Sequence, residues 1–176
     1  MKTTSRLLPL STITLMIGML FGSVYSLADE LSEKDRYFLE NTSQTARYEL
    51  EGSKLAISKS MNATVVRFAR KTVQDYTKLM TDINLLTREK SMSVSPELNP
   101  AQQENLQLLA NKDGLEFDAQ YAAGFAEEAH ANQVEYFTDA AEDADDLDIR
   151  NFAKKAQPGL KQHLFAARNL NSKINP

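Results

Sequence analysis

The chain contains no cysteine and no tryptophan, and only 6 glycines, 5 prolines and 2 histidines among 176 residues. Without a thiol there is no disulfide framework, no Cys-held zinc or iron–sulfur centre and no Cys nucleophile. Scarce Gly and Pro beside abundant Ala, Glu, Lys, Gln and Leu exclude a turn-rich β-sandwich and favour helices. A formal charge of −4 denies the chain the positive surface that non-specific nucleic-acid binding requires. No Gly-rich phosphate loop occurs, and no Ser–His–acid grouping is suggested. Beyond the N-terminal segment no apolar run approaches the roughly 20 residues of a membrane span.

That N-terminal segment reads as an address. Lys2 and Arg6 precede an apolar stretch from Leu7 to Val24, and Ser26-Leu27-Ala28 puts small residues at −3 and −1 of a cut before Asp29. A basic start, a short apolar middle and a small-residue exit define a secretory signal peptide. The reading is therefore a cleaved leader, 1–28, and one domain, 29–176, that is periplasmic or secreted. An uncleaved anchor is the alternative, and the shortness of the apolar core argues against it.

The rest of the chain carries helical periodicity. Ser32 is an N-cap, and the stripe Leu39, Thr42, Ala46, Glu49, Ser53, Ala56 follows at 3- and 4-residue steps. Asn62 caps a second helix with the stripe Val65, Ala69, Thr72, Val73, Tyr76, Leu79, Ile83, Leu86, which runs out near Lys90. Asn99-Pro100 starts a short helix to about Lys112. A third long helix spans about Leu115 to Glu142. After an acidic turn, a fourth follows with Ile149, Ala153, Ala156, Leu160, His163, Ala167 and Leu170, Pro158 lying inside it. The acidic turn lacks the glycine and spaced ligands of an EF-hand loop and reads as a solvated turn. Four long amphipathic helices bury their stripes only against one another. The expected fold is an all-α four-helix bundle whose long middle connection, about Ser91 to Gly114, is a crossover bearing the short extra helix. Such a connection suits the ferritin-like arrangement better than simple up-down-up-down packing.

The third stripe breaks step. Phe117, Tyr121 and Phe125 are spaced by four, and His130, Val134, Phe137 and Ala141 by four, three and four, but Phe125 and His130 stand five apart. A rotation of the face through the alanine-rich stretch 122–131 is the simpler reading. A π-bulge absorbing one extra residue is the alternative.

Several motifs in order complete the pattern: Asp35-x-x-Phe38-Leu39, Glu49-Leu50-Glu51, Val65-x-x-Phe68-Ala69-x-Lys71-x-Val73-x-Asp75, and Phe152-Ala153-x-Lys155-x-x-Pro158-x-Leu160-x-x-His163-Leu164. Over about Asp35 to Leu170 the chain resembles a family of exported bacterial ferritin-like bundles, catalogued as a domain of unknown function and often labelled predicted outer-membrane proteins. The resemblance implies a helical fold and export, and no established chemistry. Closed barrels, not helical bundles, are the usual outer-membrane solution. Where this sequence has Tyr76, the resemblance places a histidine.

Polar residues on core stripes are the candidates for chemistry. Glu49, Tyr76, Glu127, His130 and His163 come from all four long helices and fall near mid-bundle at about 1.5 Å rise per residue. Glu127-x-x-His130 has the i, i+3 spacing of carboxylate-bridged di-iron bundles, but Leu160 stands where a second copy needs a carboxylate before His163. The set is a half-site. One reading is a buried hydrogen-bond network, with no catalytic residue and no cofactor. The other is a metal site of Glu49, Glu127, His130 and His163, with Tyr76 nearby, for iron, zinc, copper or manganese. The first is preferred. It makes the protein a non-catalytic binding or envelope-associated bundle with an unnamed envelope partner, no nucleic acid and no membrane span after cleavage. The second makes it a metal-binding protein or metal-dependent oxidase.

Overall fold

The computed structural model describes residues 30–95 and 97–176, and the segment 1–28, read above as a cleaved leader, lies outside them. Every regular element among the described residues is helical: α1 (Glu33–Lys59), α2 (Ala63–Glu89), α3 (Pro100–Ala110), α4 (Gly114–Gln120), a π-helix (Tyr121–Glu128), α5 (Ala129–Asp143) and α6 (Leu147–Ile174). The helix starts follow from their caps. Ser32 accepts from the Asp35 amide at 3.3 Å, and Asn62 accepts from Thr64 at 2.9 Å. Asn99 and Gln102 satisfy each other's amides as a capping box at the start of α3. Asp146 receives both the Asp148 and Ile149 amides. Each cap removes an orphan donor that would otherwise disfavour starting the helix there.

Ion pairs and caps fix which ends meet. At one end the buried Asp35 carboxylate accepts the Asp145 and Asp146 amides at 3.2 and 2.8 Å. There Lys90, just past α2, pairs with Asp146 and Asp148 at 2.6 Å each. The acidic turn is therefore tied down by Asp35 and Lys90. At the other end Lys59 pairs with Asp113 at 3.0 Å and donates to the Ala110 carbonyl. So α1 and α6 run one way, and α2 and the column 114–143 run the other. The segment 90–113 must travel the length of the bundle, and it carries α3 against α1.

The core has two apolar halves. Leu39, Ala46, Ile83, Phe137, Ile149 and Leu160 belong to one. Val65, Phe68, Phe117, Tyr121, Phe125 and Leu170 belong to the other. Burying these stripes at roughly 25 cal/mol per Å² drives the assembly.

The column 114–143 departs from expectation. The gradual face rotation across 122–131 does not occur, because Tyr121–Glu128 form a π-helix. In a straight α-helix five residues turn through about 500°, which would put His130 about 140° off the face of Phe125. Both residues are nevertheless buried, at 1% and 2% exposure, and the widened turn is what reconciles them. Phe125 is held on its side by close packing. It stacks on Tyr48 at 4.5 Å between centroids. Its ring also lies against Gly52, where an added Cβ would sit 2.3 Å from Phe125 Cδ1. Tyr121 is anchored by its hydroxyl, 3.0 Å from Ser53 Oγ.

Candidate functional site

Between the two apolar halves lies a layer of polar side chains. α1 supplies Glu49, α2 supplies Tyr76 and Asp75, α5 supplies His130 and Gln133, and α6 supplies His163. Glu49 Oε1 stands 3.8 Å from His130 Nδ1. The His130 and His163 rings stack with centroids 5.3 Å apart and planes 28° from parallel. His163 Nε2 meets Asp75 Oδ2 at 2.6 Å, and Lys71 donates to Asp75 Oδ1 at 2.6 Å. Tyr76 donates its hydroxyl to Gln133 Oε1. Phe68 and Tyr76 each pack in steeply tilted, T-shaped contact with both imidazoles. The result is a row of ionisable groups that begins sealed at Glu49 and ends at the surface at Lys71.

Burial sets the charge states at the inner end. It pushes the Glu49 carboxyl well above its ordinary value. It lowers His130 to about 3, with the neighbouring His163 acting in the same direction. Both inner groups are thus shifted toward their neutral forms, because an isolated charge is unstable in a dry interior. Burial also raises Tyr76. At the outer end burial would raise Asp75, but hydrogen bonds from Lys71 and His163 outweigh it and hold the carboxyl below its ordinary value. Glu49 Oε1 has no hydrogen-bond partner, an unusual state for a buried polar atom, and the His130 ring has only the Phe125 and Ala126 backbone beside it, short of regular hydrogen-bond geometry.

The structure brings together Glu49, Tyr76, His130 and His163. It does not bring Glu127 with them. That side chain turns toward α6, accepting from Asn171 Nδ2 at 2.7 Å and standing 3.8 Å from Arg168 Nε. The π-helix is the reason: it rotates 127 relative to 130, so the i, i+3 pair does not share the inward face. Among the described residues no three His, Asp or Glu side chains stand in ready metal-holding geometry. Two members of the layer were missed from the sequence. Asp75 has the local signal of Lys71 four residues before it, but its contact with His163 spans 88 residues and is invisible locally. Gln133 lies one step off the periodic stripe of α5. Gly52, which admits Phe125, did carry a signal, since a lone glycine inside a helix costs about 1 kcal/mol and calls for a packing reason.

Beside the layer, a groove of about 290 Å³ opens between α2 and α6, with Tyr76, Leu79, Phe152 and Leu160 as apolar lining and Lys78, Lys155, Asp75 and His163 as polar lining.

A model for the domain of unknown function DUF4142 matches residues 25–170. The chain belongs to the DUF4142 family. No curated protein matches this DUF4142 chain. Among solved structures it is similar to a DUF305 fragment from Deinococcus radiodurans, with a TM-score of 0.71 and 10% identity over 81% of this chain and 98% of that one. At that identity the likeness concerns the fold alone.

Proposed function

We propose that this DUF4142 chain is an exported, ferritin-like four-helix bundle of the cell envelope that binds a partner or ligand without catalysing its conversion. The leader pattern of 1–28 supports export. Two antiparallel hairpins joined by a full-length connection support the ferritin-like description. The observation that carries the binding reading is the pairing of a sealed polar layer with an open groove. Glu49 and His130, the groups best suited to proton transfer, are each 1% exposed. A substrate has no way to touch them. The groove between α2 and α6 is accessible, and its apolar lining with a charged rim is the usual make-up of a binding cleft.

The test is photo-crosslinking in the native compartment. A crosslinker replacing Lys78 or Gly159 in the groove is expected to give a discrete adduct, and one replacing the exposed Glu40 on α1 is expected to give none. Adducts no more discrete at the groove than at Glu40 would sink the reading. A second reading, a bound metal ion, is favoured by the buried, unpartnered Oε1 of Glu49 beside the irregularly bonded ring of His130.

A further inference from the structure

We propose that Glu49, His130 and His163 form a mononuclear site for a divalent first-row transition ion, with Asp75 as the outer carboxylate that orients His163. This deepens the metal reading and is independent of the groove reading.

The first argument is the unmet demand of the core. Glu49 Oε1 is buried without a partner, and the His130 nitrogens make no regular hydrogen bond, having only the Phe125 and Ala126 backbone beside the ring. Folded proteins rarely leave such atoms unpaired, and an ion held between Glu49 Oε1 and the lone-pair nitrogen of His130 satisfies both, leaving the ring N–H to the adjacent backbone. The second argument is the carboxylate behind His163. When His163 Nε2 donates its proton to Asp75 Oδ2 at 2.6 Å, the other ring nitrogen, Nδ1, carries the lone pair. A ligating histidine characteristically gives its second ring N–H to a carboxylate in this way. Asp75 has no ligating role of its own, since its other oxygen accepts from Lys71.

The third argument is spacing. Ligands at about 2.1 Å from a tetrahedral ion stand roughly 3.4 Å from one another. Glu49 Oε1 and His130 Nδ1 are 3.8 Å apart, so closing on an ion requires a displacement of a few tenths of an ångström. The two imidazoles, stacked at 5.3 Å, must turn out of parallel for both nitrogens to face the ion. Phe68 and Tyr76 make T-shaped contacts with the rings and wall the site with apolar surface. The chemistry of the donors selects the ion class. Two imidazoles and one carboxylate suit zinc, iron, copper or manganese, whereas magnesium and calcium require more oxygen donors than this layer supplies. Glu127 contributes nothing, being engaged by Asn171. The site therefore holds one ion and not two. The groove reaches Asp75 and His163, giving a path for entry.

The test uses the exported protein, stripped with a chelator and dialysed against zinc or cobalt(II) salts, with elemental analysis and the visible d–d absorption of cobalt as readouts. Expected is one ion per chain, a cobalt spectrum showing nitrogen and oxygen ligands, and no uptake of magnesium or calcium. His130→Ala with His163→Ala is expected to abolish uptake while the circular dichroism of the helices stays. Two milder variants guard against loss of fold. Asp75→Asn is expected to weaken binding by about 10- to 100-fold through the lost orientation of His163, and Glu127→Gln to leave it unchanged. A folded wild-type protein that takes up neither ion would overturn the proposal. So would uptake that survives the double variant, or uptake that depends on Glu127 and not on Asp75.

Discussion

At the scale of single residues, the informative pair is Glu49 and His130, whose burial moves their titrations in opposite directions. His130 is lowered to about 3 from 6.5. The unfolded chain therefore binds the extra proton first, and this residue withdraws stability as pH falls from 6.5. Glu49 is raised well above 4.5, so the unfolded chain releases the proton first. This residue withdraws stability as pH rises above 4.5. Each effect approaches 1.4 kcal/mol per pH unit inside its window. Between 4.5 and 6.5 they oppose each other. Urea unfolding of the metal-free protein should therefore show Glu49→Gln gaining on the wild type as pH rises from 4.5, until Glu49 ionises in the folded protein. In the variant the acid loss from His130 should begin at 6.5 without an opposing term. Parallel pH profiles for the two proteins would mean that Glu49 titrates in contact with water. That Glu49 and His163 would be buried was legible from their stripes. That Asp75 would be the partner of His163 was not, because local periodicity says nothing about contacts between α2 and α6.

The element that decides the site is the π-helix. Its extra residue keeps Phe125 packed on Gly52 and Tyr48 while His130 also faces inward. Removing one residue there should convert the segment to ordinary α-helix with a four-residue step from Phe125 to the imidazole. Deletion of the exposed Glu128 is expected to leave a folded protein of full helical signal, changed in stability by about 1–2 kcal/mol, the usual scale of a tolerated change. Deletion of the exposed Glu135 in α5 should be far worse. It rotates the whole face that precedes it by about 100° against Phe137 and Ala141, and no widened turn is available there to absorb the shift. The comparison is made by thermal unfolding followed by circular dichroism. If the two deletions melt alike, the π-turn has no special tolerance. The five-residue step was visible in the sequence. Whether it would be taken up by rotation or by a π-turn depended on packing against Gly52 and Ser53, 68 residues from Tyr121 in the latter case.

At the scale of the whole molecule, one compact unit from Leu31 to Pro176 carries every group of the polar layer. No helix among the described residues is long and apolar enough to cross a membrane. With the leader read as 1–28, the exported protein should begin at Asp29, two residues before that unit. N-terminal sequencing of protein recovered from its native compartment checks this. A product that retains Met1 would make the first segment an anchor and tie the bundle to a membrane.

Sequence alone determined the helices, because caps and stripes are local: Ser32, Asn62 and Asn99 begin helices where they stand, and an apolar stripe has to be buried whatever its neighbour. It also determined that the bundle is all-α, since nothing alternates at the period of a strand. Tertiary structure decided which polar residues meet. Glu127 and His130 share a face only on an α-helix, and the packing of Phe125 against Gly52 made that stretch a π-helix. The same packing sent Glu127 to Asn171 and left Glu49, His130 and His163, with Asp75 behind them, as the layer between the two apolar halves. Side-chain direction on a helix follows from the chain's own period. Its companions follow from the shape of surfaces that are distant in sequence, which no local pattern encodes.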